Sequence, residues 1–156
     1  MEDLQFNFGD NLFNCRVVGV CIKENKLFLS KLKDDKYWTF VGGKPQFGES
    51  TADAVIREYE EEVGVKLQID RLAAVIENFF TLQGKNWHQY IFFYLLKDKE
   101  NALEFFEGER AIADNRNGIY KWVDIADLKN ESIKPDCFVG ILEDLDKGIQ
   151  HIVSRD

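Results

Sequence analysis

At 156 residues, with 45% hydrophobic positions and 13 phenylalanines, the chain is expected to build one domain, spanning residues 1–156, around a substantial core. Its formal net charge of -8 offers no basic footprint for duplex nucleic acid or an anionic membrane, and its longest purely apolar run, Ile91 to Leu96, is too short to cross a bilayer. Three cysteines without metal spacing, and an acidic start without a hydrophobic signal core, point to reduced thiols and the cytoplasm.

Arg16 to Ile22 is rich in β-branched residues and predicts a strand. Glu24-Asn25 makes a turn, and Lys26 to Leu32 is the hairpin partner. After a polar loop, Tyr37 to Val41 is a short extended piece that delivers the chain to Gly42-Gly43. Pro45, Gly48 and the Glu49-Ser50-Thr51 run then mark a loop and a helix start. Ser50 or Thr51 can cap that helix, Asp53 suits its first turn, and Gly64 stops it. Lys66 to Phe80 is mostly extended. Gln83 to Asn86 is a turn, and Trp87 to Leu96 is apolar at both parities from Tyr90 on, as in a strand covered on both faces. Tyr120 to Val123 is a further strand, Ile125 to Leu128 a helical turn, and Phe138 to Leu145 an amphipathic helix ending before Gly148. Strands, one helix, strands and a final helix read as α/β, with a mixed sheet between helices.

The predicted helix has two faces. Ala52, Val55, Ile56, Tyr59 and Val63 share a core-facing stripe at 100° per residue. Arg57, Glu58, Glu61 and Glu62 occupy an adjoining arc. Glu58 and Glu62 lie four residues apart and repel by roughly 0.2–0.5 kcal/mol. A cation would reverse that sign, and converging carboxylates are hard ligands suited to Mg²⁺ or Mn²⁺.

Gly43, Glu49, Arg57, Glu58, Glu61, Glu62 and Gly64 fit the pattern G-x5-E-x7-R-E-U-x-E-E-x-G-U. The chain thereby resembles the Nudix hydrolases through the whole box. It departs at Tyr59, where an aliphatic residue is usual, and at the lead-in Phe40-Val41-Gly42-Gly43, where many members carry Leu-Pro-Gly-Gly. The resemblance implies the α/β/α sandwich of the Nudix fold. It also implies metal-dependent hydrolysis of a pyrophosphate linkage in a nucleoside di- or triphosphate derivative. Glu58, Glu61 and Glu62 correspond to metal ligands, with the Gly42 carbonyl as a further one. Glu58 or Glu61 serves as general base, and Arg57 orients Glu49 or a neighbouring Glu through a bidentate contact.

Outside the box, Lys44 and Arg16 are candidate phosphate contacts, as are Lys31 and Lys33. Phe79, Phe80 and Trp38 are candidates to stack on a base, and His88 to touch a phosphate or leaving group. Glu107, Glu109 and Asp114 are candidates for a further acid completing the metal site, by analogy with related enzymes. The array of the NADH pyrophosphatases is absent, as is the proline of the ADP-ribose hydrolases, which leaves a small MutT-like enzyme. A nucleotide-binding sensor on the same scaffold, or an enzyme for ADP-ribose or a nucleotide sugar, is the alternative. The acidic surface and many aromatics are compatible with a homodimer, an assembly common in the family.

Overall fold

The computed structural model describes residues 2–111 and 117–155. Among these, nine strands form one mixed sheet. In chain order they are β1 (Gln5–Phe8), β2 (Asn11–Lys23), β3 (Lys26–Leu32) and β4 (Gly42–Gly43), then, after helix α1 (Thr51–Val63), β5 (Gln68–Leu82), β6 (Lys85–Lys97), β7 (Gly108–Ala111) and β8 (Asn117–Asp124). A 3-10 stretch (Ile125–Asn130), helix α2 (Cys137–Glu143) and β9 (Gln150–Arg155) complete the chain. The main order is β7-β8-β3-β2-β6-β5-β9, with β1 and β4 attached to β2.

The apolar character of the central strands at both parities follows from cover on both faces. On one face Val17, Cys21, Tyr94 and Leu96 pack with Val55, Tyr59 and Val63 of α1. On the other, Val18, Val20, Ile76, Ile91 and Phe93 pack with Phe138, Ile141 and Leu142 of α2. The layers are helix, sheet, helix. β2 and β6 run parallel from Asn11 against Asn86 to Cys21 against Leu96, while β5 and β6 form an antiparallel hairpin.

α1 begins and ends where the sequence predicts. The Ser50 hydroxyl accepts from the Asp53 N–H at 3.1 Å. Gly64 closes the helix at φ 74°, a left-handed conformation that glycine adopts without steric cost. Elsewhere the strands extend beyond expectation. β2 begins at Asn11, because β1 folds back on its first residues through Gly9, pairing Phe8 with Asn11 and Gln5 with Asn14. β9 was not anticipated. Its side chains alternate between partly buried and exposed, but only Ile152 and Val153 are apolar, which leaves a weak strand signal. α2 spans Cys137–Glu143 and stops short of Leu145.

One irregularity of the sheet positions the site. β2 and β3 pair only beside their turn, at Ile22 with Leu27 and Lys23 with Lys26. They then part. β3 continues along β8, and β2 takes Gly42 and Gly43 of β4 as its neighbours, opposite Val18 and Val17. The opening between the two halves is a cleft.

Candidate active site

The cleft encloses about 550 Å³. Its lining comes from both halves of the divided sheet and from α1. β2 contributes Arg16, β3 contributes Ser30 and Lys31, and β8 contributes Gly118 and Tyr120. Gly42, Gly43 and Lys44 enter from the loop, and Arg57, Glu58, Glu61 and Glu62 from the polar arc of α1.

Arg57 ties these pieces together. Its Nε donates to Glu49 Oε1 at 2.8 Å and its Nη2 to Glu49 Oε2 at 2.9 Å, a two-pronged grip on the loop. Nη2 also donates to the Lys44 carbonyl at 3.1 Å. Nη1 turns the other way, to Glu58 Oε1 at 3.0 Å and Glu61 Oε2 at 3.2 Å. Glu49 is further fixed by the Gln46 N–H, 2.9 Å from Oε2. Two of the acids differ in setting, since the Glu58 side chain is 14% exposed and that of Glu61 51%.

The electrostatics follow from this placement. Hydrogen bonding to Arg57 holds the Glu49 carboxyl below its ordinary range. Burial raises that of Glu58, and the Glu61 charge adds to the rise, while Arg57 and Arg16 oppose it. Contact with Glu49 and Glu58 raises the Arg57 guanidinium. Burial lowers that of Arg16 against the pull of Glu62 and Glu58.

The donor set fits a hard divalent cation. Glu58, Glu61 and Glu62 offer only oxygen, and a partly buried carboxylate among like charges gains from a cation beside it. Among the described residues, no three acidic, histidine or cysteine side chains converge tightly enough to enclose an ion as they stand. Glu58 and Glu61 are both turned toward Arg57.

The remaining candidates separate. Lys44 lines the cleft, with its Nζ bonded to Asp3 at 3.0 Å and Gln5 at 3.2 Å. Lys33 lies outside it, paired with Glu109 at 2.9 Å. Neither Glu107 nor Glu109 lines the cleft, and Asp114 lies outside the described residues. Phe79 and His88 stand apart from the carboxylates. They border a different groove with Trp87 and Arg155, the Phe79 ring lying 4.4 Å from the His88 ring and 4.3 Å from the Arg155 guanidinium. Ser30, Gly118 and Tyr120 were not singled out from sequence. Each lies in an ordinary strand, and only the parting of β2 from β3 brings it to the cleft.

The comparisons with known proteins agree with this fold. The NUDIX domain family model matches residues 14–139. The 8-oxo-dGTP diphosphatase of Buchnera aphidicola subsp. Schizaphis graminum is 30% identical over 117 residues, covering 72% of this chain and 78% of that protein. Among solved structures, the MutT NUDIX hydrolase from Burkholderia pseudomallei aligns with a TM-score of 0.64 and 22% identity, over 85% of this chain and 98% of that one. A UDP-X diphosphatase aligns with a TM-score of 0.62 and 20% identity, over 89% of this chain and 66% of that one.

Proposed function

The chain belongs to the NUDIX domain family, and on that footing we propose that it is a small MutT-like enzyme acting on a nucleoside triphosphate or a related nucleotide derivative, with Mg²⁺ or Mn²⁺ held by Glu58, Glu61, Glu62 and the Gly42 carbonyl. It is a Nudix pyrophosphohydrolase. The reaction adds water to one phosphorus of a pyrophosphate, breaks the bond from that phosphorus to the bridging oxygen, and releases a phosphate-bearing group.

The observation that carries the site assignment is the reach of Arg57. One guanidinium grips Glu49 of the loop and holds Glu58 and Glu61 in a cleft that Arg16, Lys31 and Lys44 also line. A divalent cation held by these oxygens would neutralise phosphate charge and lower the pKa of water. Glu58 or Glu61 takes the proton that the attacking water gives up, and Arg57 places both. Arg16 and Lys44 balance the remaining phosphate charge. Phe79 and His88 border the other groove. The 8-oxo-dGTP diphosphatase relative supports a nucleotide substrate.

Among the described residues no helix is long and apolar enough to cross a membrane. The free thiols Cys15 and Cys21, both buried, suit a reducing compartment such as the cytoplasm.

The deciding experiment is release of phosphate or pyrophosphate from a panel of nucleoside triphosphates, oxidised nucleotides, nucleotide sugars, ADP-ribose, NADH and dinucleoside polyphosphates, with and without EDTA. Turnover of at least one nucleotide, abolished by EDTA and restored by Mg²⁺ or Mn²⁺, is expected. Binding without turnover across the panel would identify a sensor instead.

A further inference from the structure

β1 and the residues just before it lie against the loop that leads into α1. The Leu4 N–H donates to the Pro45 carbonyl at 2.8 Å and the Phe47 N–H to the Glu2 carbonyl at 3.0 Å. Asp3 stands opposite Gln46 in an antiparallel bridge. The Cys15 N–H donates to the Leu4 carbonyl at 2.9 Å, which ties the same segment to β2. Phe6 meets Phe47 edge-on, with ring centroids 6.1 Å apart. Backbone bonds and one aromatic pair thus anchor the segment to the loop without the side chains of Asp3 and Gln5.

Those two side chains stand two positions apart on extended backbone, where alternate residues project to one side. Both end on the Lys44 ammonium. Asp3 Oδ2 lies 3.0 Å from its Nζ, and Gln5 Oε1 accepts from it at 3.2 Å. The backbone of Lys44 is held as well, since its carbonyl accepts from Arg57 Nη2 at 3.1 Å. Lys44 and Asp3 both line the carboxylate cleft, whereas the Lys33–Glu109 and Lys97–Asp70 pairs lie outside it.

Stability does not account for this contact. The Lys44 and Asp3 side chains are 32% and 43% exposed, and an ion pair so open to water adds little to the fold. Nor does a carboxylate on the wall of the cleft help to attract phosphates, whose charge it repels. What the contact does supply is position. Asp3 and Gln5 present one oxygen each to an ammonium with three N–H donors, so at least one donor is left for a ligand.

We infer that Asp3 and Gln5 are positioning residues, which hold the Lys44 ammonium in one place on the cleft wall so that it meets the substrate's phosphates in a fixed geometry. The inference rests on the proposed pyrophosphohydrolase activity and deepens it by adding the segment before β2 to the working site. Asp3 and Gln5 act through Lys44 and do not touch the reacting atoms. The long lysine side chain loses its rotamer freedom on folding and not during the reaction, so more of its attraction for phosphate is available to the transition state.

Asp3→Ala tests the assignment. The backbone bonds and the Phe6–Phe47 contact remain, so the variant is expected to fold with a melting temperature near wild type. Its kcat for the best nucleotide is expected to fall about 5-fold, the upper scale on which an exposed ion pair couples its partners. Asp3→Asn, which keeps an acceptor oxygen, is expected to lose less. In a Lys44→Met background, Asp3→Ala is expected to cost nothing further. Wild-type kcat in Asp3→Ala overturns the inference, and so does an equal fold loss with and without Lys44, which marks a merely structural role. Wild-type kcat in Lys44→Met removes the lysine from the phosphates and the inference with it, while the activity stands. A second measurement needs no turnover. The side-chain ammonium NMR signal of Lys44, identified by its absence in Lys44→Met, is expected to be protected from exchange with water and to shift when magnesium tripolyphosphate is added. A signal that is unprotected, or unmoved by tripolyphosphate, overturns the inference as well. Failure of the wild type to cleave any nucleotide would remove the proposed activity, and the lysine signal alone would then decide whether Asp3 and Gln5 hold Lys44 for phosphate.

Discussion

The carboxylate of Glu58 lies in the space that any side chain on Gly43 would need. A Cβ placed on Gly43 meets Glu58 Cδ and Oε1 at 2.2 Å. The glycine in the loop and the acid on the helix are therefore fitted to one another, and α1 carries Glu58 directly against the β4 backbone.

Gly43→Ala tests this fit. The clash falls on the end of a flexible side chain, so the fold is expected to hold and the Glu58 carboxylate to move. Displacement of a reacting group by about 1 Å can cost on the order of 10²-fold, and a loss of at least roughly 10-fold in kcat is expected with a melting temperature near wild type. A variant with full activity would show that Glu58 has no positional demand.

Glu58→Gln removes one charge from the arc while leaving the Val55, Tyr59 and Val63 stripe intact. Relief of like-charge repulsion is expected to leave metal-free stability unchanged or raised by a few tenths of a kcal/mol, roughly the cost of one such pair. Turnover is expected to fall by about 10²-fold or more, as for loss of a ligand or base. Glu60→Gln is the matched control, because Glu60 is exposed and does not line the cleft. Mg²⁺ should raise the melting temperature of wild type and Glu60→Gln and do so much less for Glu58→Gln, since only the native arrangement binds the ion. Equal shifts in all three would place the ion elsewhere.

Acid sensitivity is expected to pass through Glu49. Arg57 holds its carboxyl below the ordinary 4.5, so the unfolded chain binds its proton first as pH falls. The stabilisation is complete above that value and is lost as pH drops through the lower folded one. Glu58 acts in the opposite sense, because its folded carboxyl is raised. Urea unfolding between about pH 6 and pH 3, compared for wild type and Glu49→Gln, isolates the Glu49 contribution. The stability difference should shrink toward the acid end, and a difference constant with pH would contradict the Arg57–Glu49 linkage.

Tyr120 is 1% exposed, stacked on Phe28 at 5.7 Å and crossed edge-on by Phe106 at 5.2 Å. Its hydroxyl has no hydrogen-bond partner among the described residues. Tyr120→Phe keeps the ring packing and removes the bare hydroxyl, so stability without metal is expected to rise by about 1 kcal/mol. Equilibrium denaturation measures it, and a loss of stability would reveal a partner for that hydroxyl.

The local half of the site was legible because its signals are local. Ser50, Gly64 and the helical spacing define α1, and Glu49 and Arg57 stand where a loop-to-helix grip can form. The other half was not. Ser30, Gly118 and Tyr120 reach the cleft only because β2 and β3 diverge after two paired positions, a tertiary event with no marker in either strand. Nor does the spacing of Glu58 and Glu61 reveal that both face Arg57.

The parallel pairing of β2 with β6 has a kinetic consequence. Every rung from Asn11 with Asn86 to Cys21 with Leu96 joins residues separated by about half the chain. Contacts so distant in sequence close slowly, because the loop entropy is lost before the contact forms. α1 lies inside that loop and packs its Val55 and Tyr59 in the same cluster as Leu96 of β6 and Val17 of β2. The acids of α1 are expected to reach Arg16 of β2 only as the two strands meet. An ion that needs the assembled acids has little to hold in the rate-limiting ensemble. Added Mg²⁺ should leave the refolding rate near its metal-free value and act on the reverse process, lengthening the lifetime of the native state.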